Sequence, residues 1–249
     1  NYRYEKDIQN NFNDPVDYFE KDVQARLAMF EHPLDEIEKI RPRKGHILDV
    51  GCGRGEFLYA ANKRGWEAAG TDISESFVRY ARDNFKVDAL TGDLEKVDLP
   101  SESFDAVTLI SVIQYLQDPL ATLKKINSLL NVDGVLYIEV TNNDALVFKI
   151  GDLLKSMREG RKVTTHLSPL FPSYQLYGFN KKSLSTALEL AGFAISYIKT
   201  GGVYGGGRVG GSGLGNSILN LMRSLIIFIG GITGRGHLIF CIAKKRKRR

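Results

Sequence analysis

At His46–Val50 an apolar strand pattern runs into three alternating glycines, Gly51, Gly53 and Gly55, and a helical pattern departs from Glu56. This strand–turn–helix junction constrains the chain more than any other feature. A strand pattern at 66–71 and a helical one at 74–84 follow, then strands at 87–90, 104–110 and 135–140. A helix at 119–130 and an Asp133-Gly134 turn separate the last two strands. Later come a helix at 181–191, a strand at 193–199, a helix at 216–229 and a strand at 237–243. Strands alternating with helices of about ten residues require parallel βαβ connections. The expected fold class is α/β, a Rossmann-like, mostly parallel sheet with helices on both faces.

Residues 1–45 read as an N-terminal helical cap and connector. Phe19, Val23, Leu27 and Phe30 recur at helical spacing across 18–30, and Leu34, Ile37 and Ile40 carry a second short helix. Residues 46–243 form the main domain. Within it, 142–179 shows no clean period and holds Phe148, Phe171, Tyr174, Tyr177 and Phe179. A segment of that length between strand and helix is expected to serve as a lid. Residues 201–215 contain nine glycines. No Gly-Lys-Ser/Thr follows to complete a phosphate cradle, so a flexible loop is expected.

Charge sharpens the partner question. The 249 residues hold 34 Lys+Arg and 29 Asp+Glu, a net of +5. The last six, 244–249, are all basic, and without them 28 basic residues face 29 acidic ones. The basicity is thus assigned to a tail on a near-neutral body, with anionic lipid or RNA as its natural contacts. Residues 224–234 are uncharged over 11 positions, short of a bilayer span. Residues 216–249 are accordingly read as a helix packed on the sheet and a tail, with weak membrane-surface contact as their second role. Cys52 and Cys241 show no pairing pattern, and no C-x-x-C or H-E-x-x-H occurs. A reducing, cytoplasmic location, peripheral to the membrane, and no metal are expected.

The glycine turn has chemistry of its own. Gly51 and Gly53 let the backbone pass close to a ligand, and the following helix offers free N–H groups to an anion. A dinucleotide fingerprint would need glycine at position 56, where Glu56 stands. That acid suits a ligand with positive charge on sulfur better than a pyrophosphate. Asp72 lies 21 residues after Gly51, at the end of the second strand, where a carboxylate can accept both hydrogen bonds of a ribose diol. Asp93, after the third strand, can accept from an adenine amino group with Leu94 flanking the ring. All three signals fall at the carboxyl ends of successive strands, the edge at which open α/β sheets bind ligands.

These residues resemble the class I S-adenosylmethionine-dependent methyltransferases, in the branch with ubiquinone-biosynthesis and natural-product or sugar O-methyltransferases. The likeness runs from about Tyr18 to Ala243. Leu48-Asp-Val-Gly-Cys-Gly-Arg-Gly55 resembles their first motif, and Phe104 to Val112 their fourth strand running into the substrate side. The resemblance implies a seven-stranded sheet whose last strand is antiparallel and inserted next to the fifth. It implies S-adenosyl-L-methionine as cofactor, held by Asp49, Gly51, Cys52, Gly53, Arg54, Gly55, Phe57, Asp72, Ile73, Asp93, Leu94, Ser111 and Val112. Tyr18 would reach over the cofactor from the N-terminal helix.

The sequence departs from the pattern twice. Gln114-Tyr115 stands where many relatives carry Glu-His, and Thr141-Asn142-Asn143 where they read Thr-Pro-Asn. The first departure leaves His166, in Thr164-Thr-His-Leu167, as the candidate base, with Tyr115 the other polar group at that edge. The expected reaction is methyl transfer to a small-molecule acceptor, most naturally a hydroxyl oxygen. A catalytically silent binding module and an RNA- or lipid-associated methyltransferase are the competing readings. An Asn/Asp-Pro-Pro-Tyr segment is absent after the fourth strand, where Ser111-Val-Ile-Gln-Tyr115 stands, as is a Pro-Cys nucleophile. Both are features of nucleic-acid methylation.

Overall fold

A computed structural model of the chain describes residues 27–160, 175–201 and 214–246. Helix α1 (Glu31–Ile40) precedes strand β1 (His46–Val50), which leads through the glycine turn into α2 (Glu56–Lys63). Then follow β2 (Glu67–Asp72), α3 (Glu75–Tyr80) with a π-helical extension to Phe85, β3 (Asp88–Thr91) and β4 (Phe104–Ile110). A single 3-10 turn (Ile113–Tyr115), α4 (Pro119–Leu129) and β5 (Leu130–Thr141) come next. The remainder is α5 (Leu146–Glu159), α6 (Lys181–Leu190), β6 (Phe193–Gly201), α7 (Leu214–Ile232) and β7 (Leu238–Lys245).

The seven strands lie in the order β3-β2-β1-β4-β5-β7-β6. All pairs are parallel except those of β7, which runs antiparallel between β5 and β6. This is the inserted last strand that the resemblance implied. Strand order reverses between β1 and β4, which opens a crevice at the carboxyl edge there.

Alternation along the strands sorts the core into two layers. Leu48, Val107, Leu136 and Ile138 meet α4 and α6 on one face, through Leu123, Ile126, Leu184 and Leu188. Ile47, Ala106, Val135 and Tyr137 meet α1 and α2 on the other, through Leu34, Ile37, Phe57 and Leu58. Polar ties hold α1 in place. Arg64, after α2, binds Glu31, Asp35 and Glu38 at 2.7–2.9 Å. Glu36 accepts from Tyr197 and, at 2.9 Å, from Lys199 on β6.

Three local expectations are corrected. Asp133-Gly134 is no turn but part of the 12-residue β5. Leu130 already pairs with Phe104, and a register shift between Phe104 and Ala106 takes up the extra residues. The segment 142–179 contains a regular helix, α5. Its apolar residues occupy more than one face, with Phe148 buried and Leu153, Leu154 and Met157 exposed, which hides the helical period. The basic run does not begin as a tail, because Lys244 and Lys245 are strand residues. Lys244 pairs with Val135 and Ala194 in the sheet, and Lys245 binds Glu102 at 2.8 Å. Residues 1–26 lie outside the described part, and with them 18–26 of the expected helix 18–30. So do 161–174 of the expected lid, 202–213 of the glycine loop and 247–249 of the tail.

Candidate active site at the carboxyl edge of the sheet

The turn after β1 holds its glycines for three different reasons. Gly51, Gly53 and Gly55 all have positive φ, at 78°, 51° and 83°. A Cβ on Gly51 would sit 2.4 Å from Val112, and one on Gly55 would sit 2.8 Å from Ala81. A Cβ on Gly53 would meet nothing within 4 Å. Gly51 thus admits the chain leaving β4, Gly55 admits the π-helical extension of α3, and Gly53 alone fronts open space where a ligand can approach.

Asp72 organises that opening. Its two carboxylate oxygens accept from the N–H groups of Gly53 and Ser74, each at 2.8 Å. Burial pushes its pKa up against these two bonds. A carboxylate has about four acceptor positions, so two remain for a diol. Asp93 is a turn residue whose carbonyl accepts from Lys96 and Val97. Leu94 is buried beneath it and Ile73 is exposed beside Asp72. Gly92 N–H binds the Asp72 carbonyl at 2.8 Å, tying the two acid-bearing loops together.

Arg54 is not on the surface. Its guanidinium lies 3.9 Å over the ring of Tyr80, its Nε is 3.6 Å from Glu56, and the side chain is buried. Cys52 is likewise buried, and desolvation pushes its thiol far up, so it is no nucleophile. Phe57 is 1% exposed and packs edge-on against Phe30. Its ring belongs to the core, and only its place in the first turn of α2 brings it near the glycines.

The chain leaves β4 through Ser111, a non-glycine residue at φ 58°, whose N–H binds the Glu139 carbonyl at 2.8 Å. Val112 packs on Gly51, and Tyr115 closes the 3-10 turn. Gln114 is 2% exposed, and its Nε2 donates to the Ser111 carbonyl. Its backbone carbonyl accepts from Leu176 and Tyr177, which draws 175–179 over this loop. The Gln114 Oε1 is buried with no hydrogen-bond partner among the described residues. His166 and Tyr18, the candidate base and cofactor cover, fall outside the described residues, as do Phe171 and Tyr174.

Two carboxyls complete the edge, Asp49 buried and Glu139 half-buried. Asp49, on β1, accepts from the Thr108 hydroxyl at 2.6 Å. Burial, with the Asp72 charge nearby, outweighs that bond and raises its pKa to about 7. Glu139, near the end of β5, is also raised to about 7 by burial, although Tyr137 donates to it at 3.3 Å. Register places Asp49 beside Thr108, Thr108 beside Tyr137, and Glu139 between Ile110 and Phe240. All share the α1-covered face. Glu139 and Thr108 were missed in the sequence because both sit inside apolar strands. The available signal was an acid in Leu-Tyr-Ile-Glu-Val, where every neighbour is apolar.

These shifts make stability depend on pH. A carboxyl whose pKa rises on folding keeps its proton in the native state at pH values where the unfolded chain has lost it. Stability is then fully present below about pH 4 and falls as pH climbs through about 7. Each group contributes on the order of 3 kcal/mol over that window. The cofactor-free chain should unfold at a lower temperature at pH 8 than at pH 5.5. Calorimetric melting of Glu139→Gln should show a flatter pH dependence; an unchanged slope excludes this carboxyl as the source.

The residues fit an adenosyl sulfonium ligand. Gly53 leaves room, Asp72 retains two acceptor positions, Gln114 offers an orphan acceptor, and Asp49, Asp72 and Glu56 all bear electrostatically on Cys52 in the turn. Comparisons with known proteins agree. A family described as "Methyltransferase domain" matches residues 19–197. A ubiquinone biosynthesis O-methyltransferase of Coxiella burnetii is 30% identical over 117 residues, covering 45% of this chain and 50% of that protein. The chain thus spans about half the length of the curated relatives it matches. A SAM-dependent methyltransferase of Archaeoglobus fulgidus has the same fold, with TM-score 0.60 and 20% identity over 92% of this chain and 99% of that one. The plantazolicin methyltransferase, solved in complex with SAH, superposes with TM-score 0.60 and 17% identity, over 99% of this chain and 90% of its own.

Proposed function

The chain belongs to the class I S-adenosylmethionine-dependent methyltransferases, and we propose that it methylates a hydroxyl oxygen of a small acceptor in the cytoplasm. S-adenosylmethionine is the cofactor; bound, it supplies a methyl group activated by the adjoining sulfonium for in-line displacement. Asp72 would hold the ribose, the Gly51–Gly53 backbone and Arg54 the methionine end, and Asp93 the adenine. The protein's main contribution is alignment, which supplies up to ~7–11 kcal/mol.

The observation that carries the choice of oxygen is Glu139. A hydroxyl must lose its proton as it is methylated, and a base with pKa near the working pH adds ~10²–10⁴-fold. A half-buried carboxyl raised by desolvation to about 7, near the carboxyl end of β5, is such a base. His166 is the other base we propose, with Tyr115 as an acceptor-orienting hydroxyl. The O-methyltransferase name of the Coxiella relative supports oxygen as well.

A methyl-transfer screen tests this reading. Phenols, quinol precursors and sugars are incubated with the protein and S-adenosylmethionine, and products are read by a 14-dalton mass increase, roughly one methylene. Methylated hydroxyl compounds are expected. Turnover confined to amines overturns the choice of oxygen. Calorimetry that detects no binding of cofactor or its demethylated product favours the silent binding module.

A further inference from the structure

Helices α5 and α7 carry an apolar surface that the fold does not use. On α7, Leu221, Leu225, Phe228, Ile229 and Ile232 recur at intervals of four, three, one and three, so they form one stripe. On α5, Leu153, Leu154 and Met157 lie exposed. All eight side chains are between 41 and 73% exposed. The two helices pack against each other, and Leu146 N–H at the start of α5 binds the Arg235 carbonyl just past the end of α7, at 3.0 Å. Gly230 permits that approach, since a Cβ there would sit 2.7 Å from the same carbonyl. The stripes therefore join into a patch larger than scattered surface apolar residues make.

Cations outnumber acids on and beside the two helices. Residues 190–249 contain ten Lys and Arg and no Asp or Glu, although Lys244 and Lys245 stand at the amino end of β5, away from the patch. α7 has Arg223 as its one charged residue and is followed by exposed Arg235. α5 adds Lys149, Lys155 and Arg158 against Asp152 and Glu159. Among the described residues, no helix is long and apolar enough to cross a membrane.

We propose that the α5–α7 face docks on the surface of an anionic lipid bilayer. A cation-rimmed apolar stripe that cannot span is the pattern of a helix lying in the interface, its apolar side in the acyl boundary and its basic residues at the headgroups. A second copy of the chain is a poorer occupant. A two-fold contact through this face would set two surfaces with a net excess of cations against each other. α5 begins where β5 ends and α7 ends where β7 begins, so both helices meet the sheet at its carboxyl edge. Docking thus presents that edge to the bilayer, and an acceptor held in the membrane by an apolar chain reaches it there. This last consequence rests on reading the edge as the methyl-transfer site; the docking itself does not.

Flotation of the full chain with vesicles tests the proposal. Vesicles of phosphatidylcholine are compared with vesicles containing phosphatidylglycerol at about a third of the lipid. Association with the anionic vesicles is expected, weakened at least tenfold by Leu225→Glu with Phe228→Glu and in a graded way by the alanine pair. S-adenosylmethionine affinity, measured by calorimetry on the same samples, should not change. Absence of flotation by a chain that binds cofactor overturns the docking and spares the methyltransferase reading. Equal binding to neutral vesicles, or binding indifferent to the Glu pair, also overturns it. A wild-type dimer in light scattering that the Glu pair splits, with no vesicle binding, assigns the face to a second copy instead.

Discussion

Asp72→Ala is expected to weaken S-adenosylmethionine binding by ~30- to 150-fold, about 2–3 kcal/mol, the size of hydrogen bonds made to a charged group. The argument runs through the acceptor positions of one carboxylate. Two are taken by the Gly53 and Ser74 N–H groups and two are left over. Alanine removes the ribose contacts and also frees the Gly53 amide, the one turn residue with open space before it. Asp72→Asn is a sharper probe. It keeps the shape, but its amide nitrogen faces an N–H donor on one side, so part of the loss should remain. Titration calorimetry of cofactor and of its demethylated product reads both variants. Affinities within threefold of wild type would remove Asp72 from the cofactor site.

How much of this was legible in the sequence depends on the kind of signal. The glycine turn was readable because Gly51, Gly53 and Gly55 adopt positive φ, which other residues resist. Strands β1 to β4 were readable because each is short, carries apolar residues at its centre and is bounded by turn chemistry. The insertion of β7 between β5 and β6 is a long-range pairing with no local period, and the family resemblance supplied it. α5 escaped because its exposed Leu153, Leu154 and Met157 blur the amphipathic pattern. The structure gives that blur a cause, since those residues belong to the surface patch. The charge arithmetic stopped too early as well. Setting aside six residues located a basic tail, but the acid-free stretch begins after Glu189, and two of the six are strand residues.

The base was least legible, because a search for acids after strands passes over an acid within one. Glu139→Gln is expected to lower kcat by ~10²–10⁴-fold on a hydroxyl acceptor while leaving cofactor affinity in place. Glutamine keeps the volume and can still accept from Tyr137, so the change isolates the proton-accepting role. The sign of the pH dependence follows from the raised pKa. Wild-type kcat should rise with pH and level off above about 7, where Glu139 is ionised, and the variant should lose that inflection. His166→Ala is the contrasting case. If the histidine is the base, its loss removes the inflection and Glu139→Gln keeps it. If Glu139 is the base, the reverse holds, and the unfolding pH dependence flattens in that same variant. A structural role for Glu139 could lower kcat without shifting the profile, so the shape of the curve, more than its height, assigns the proton.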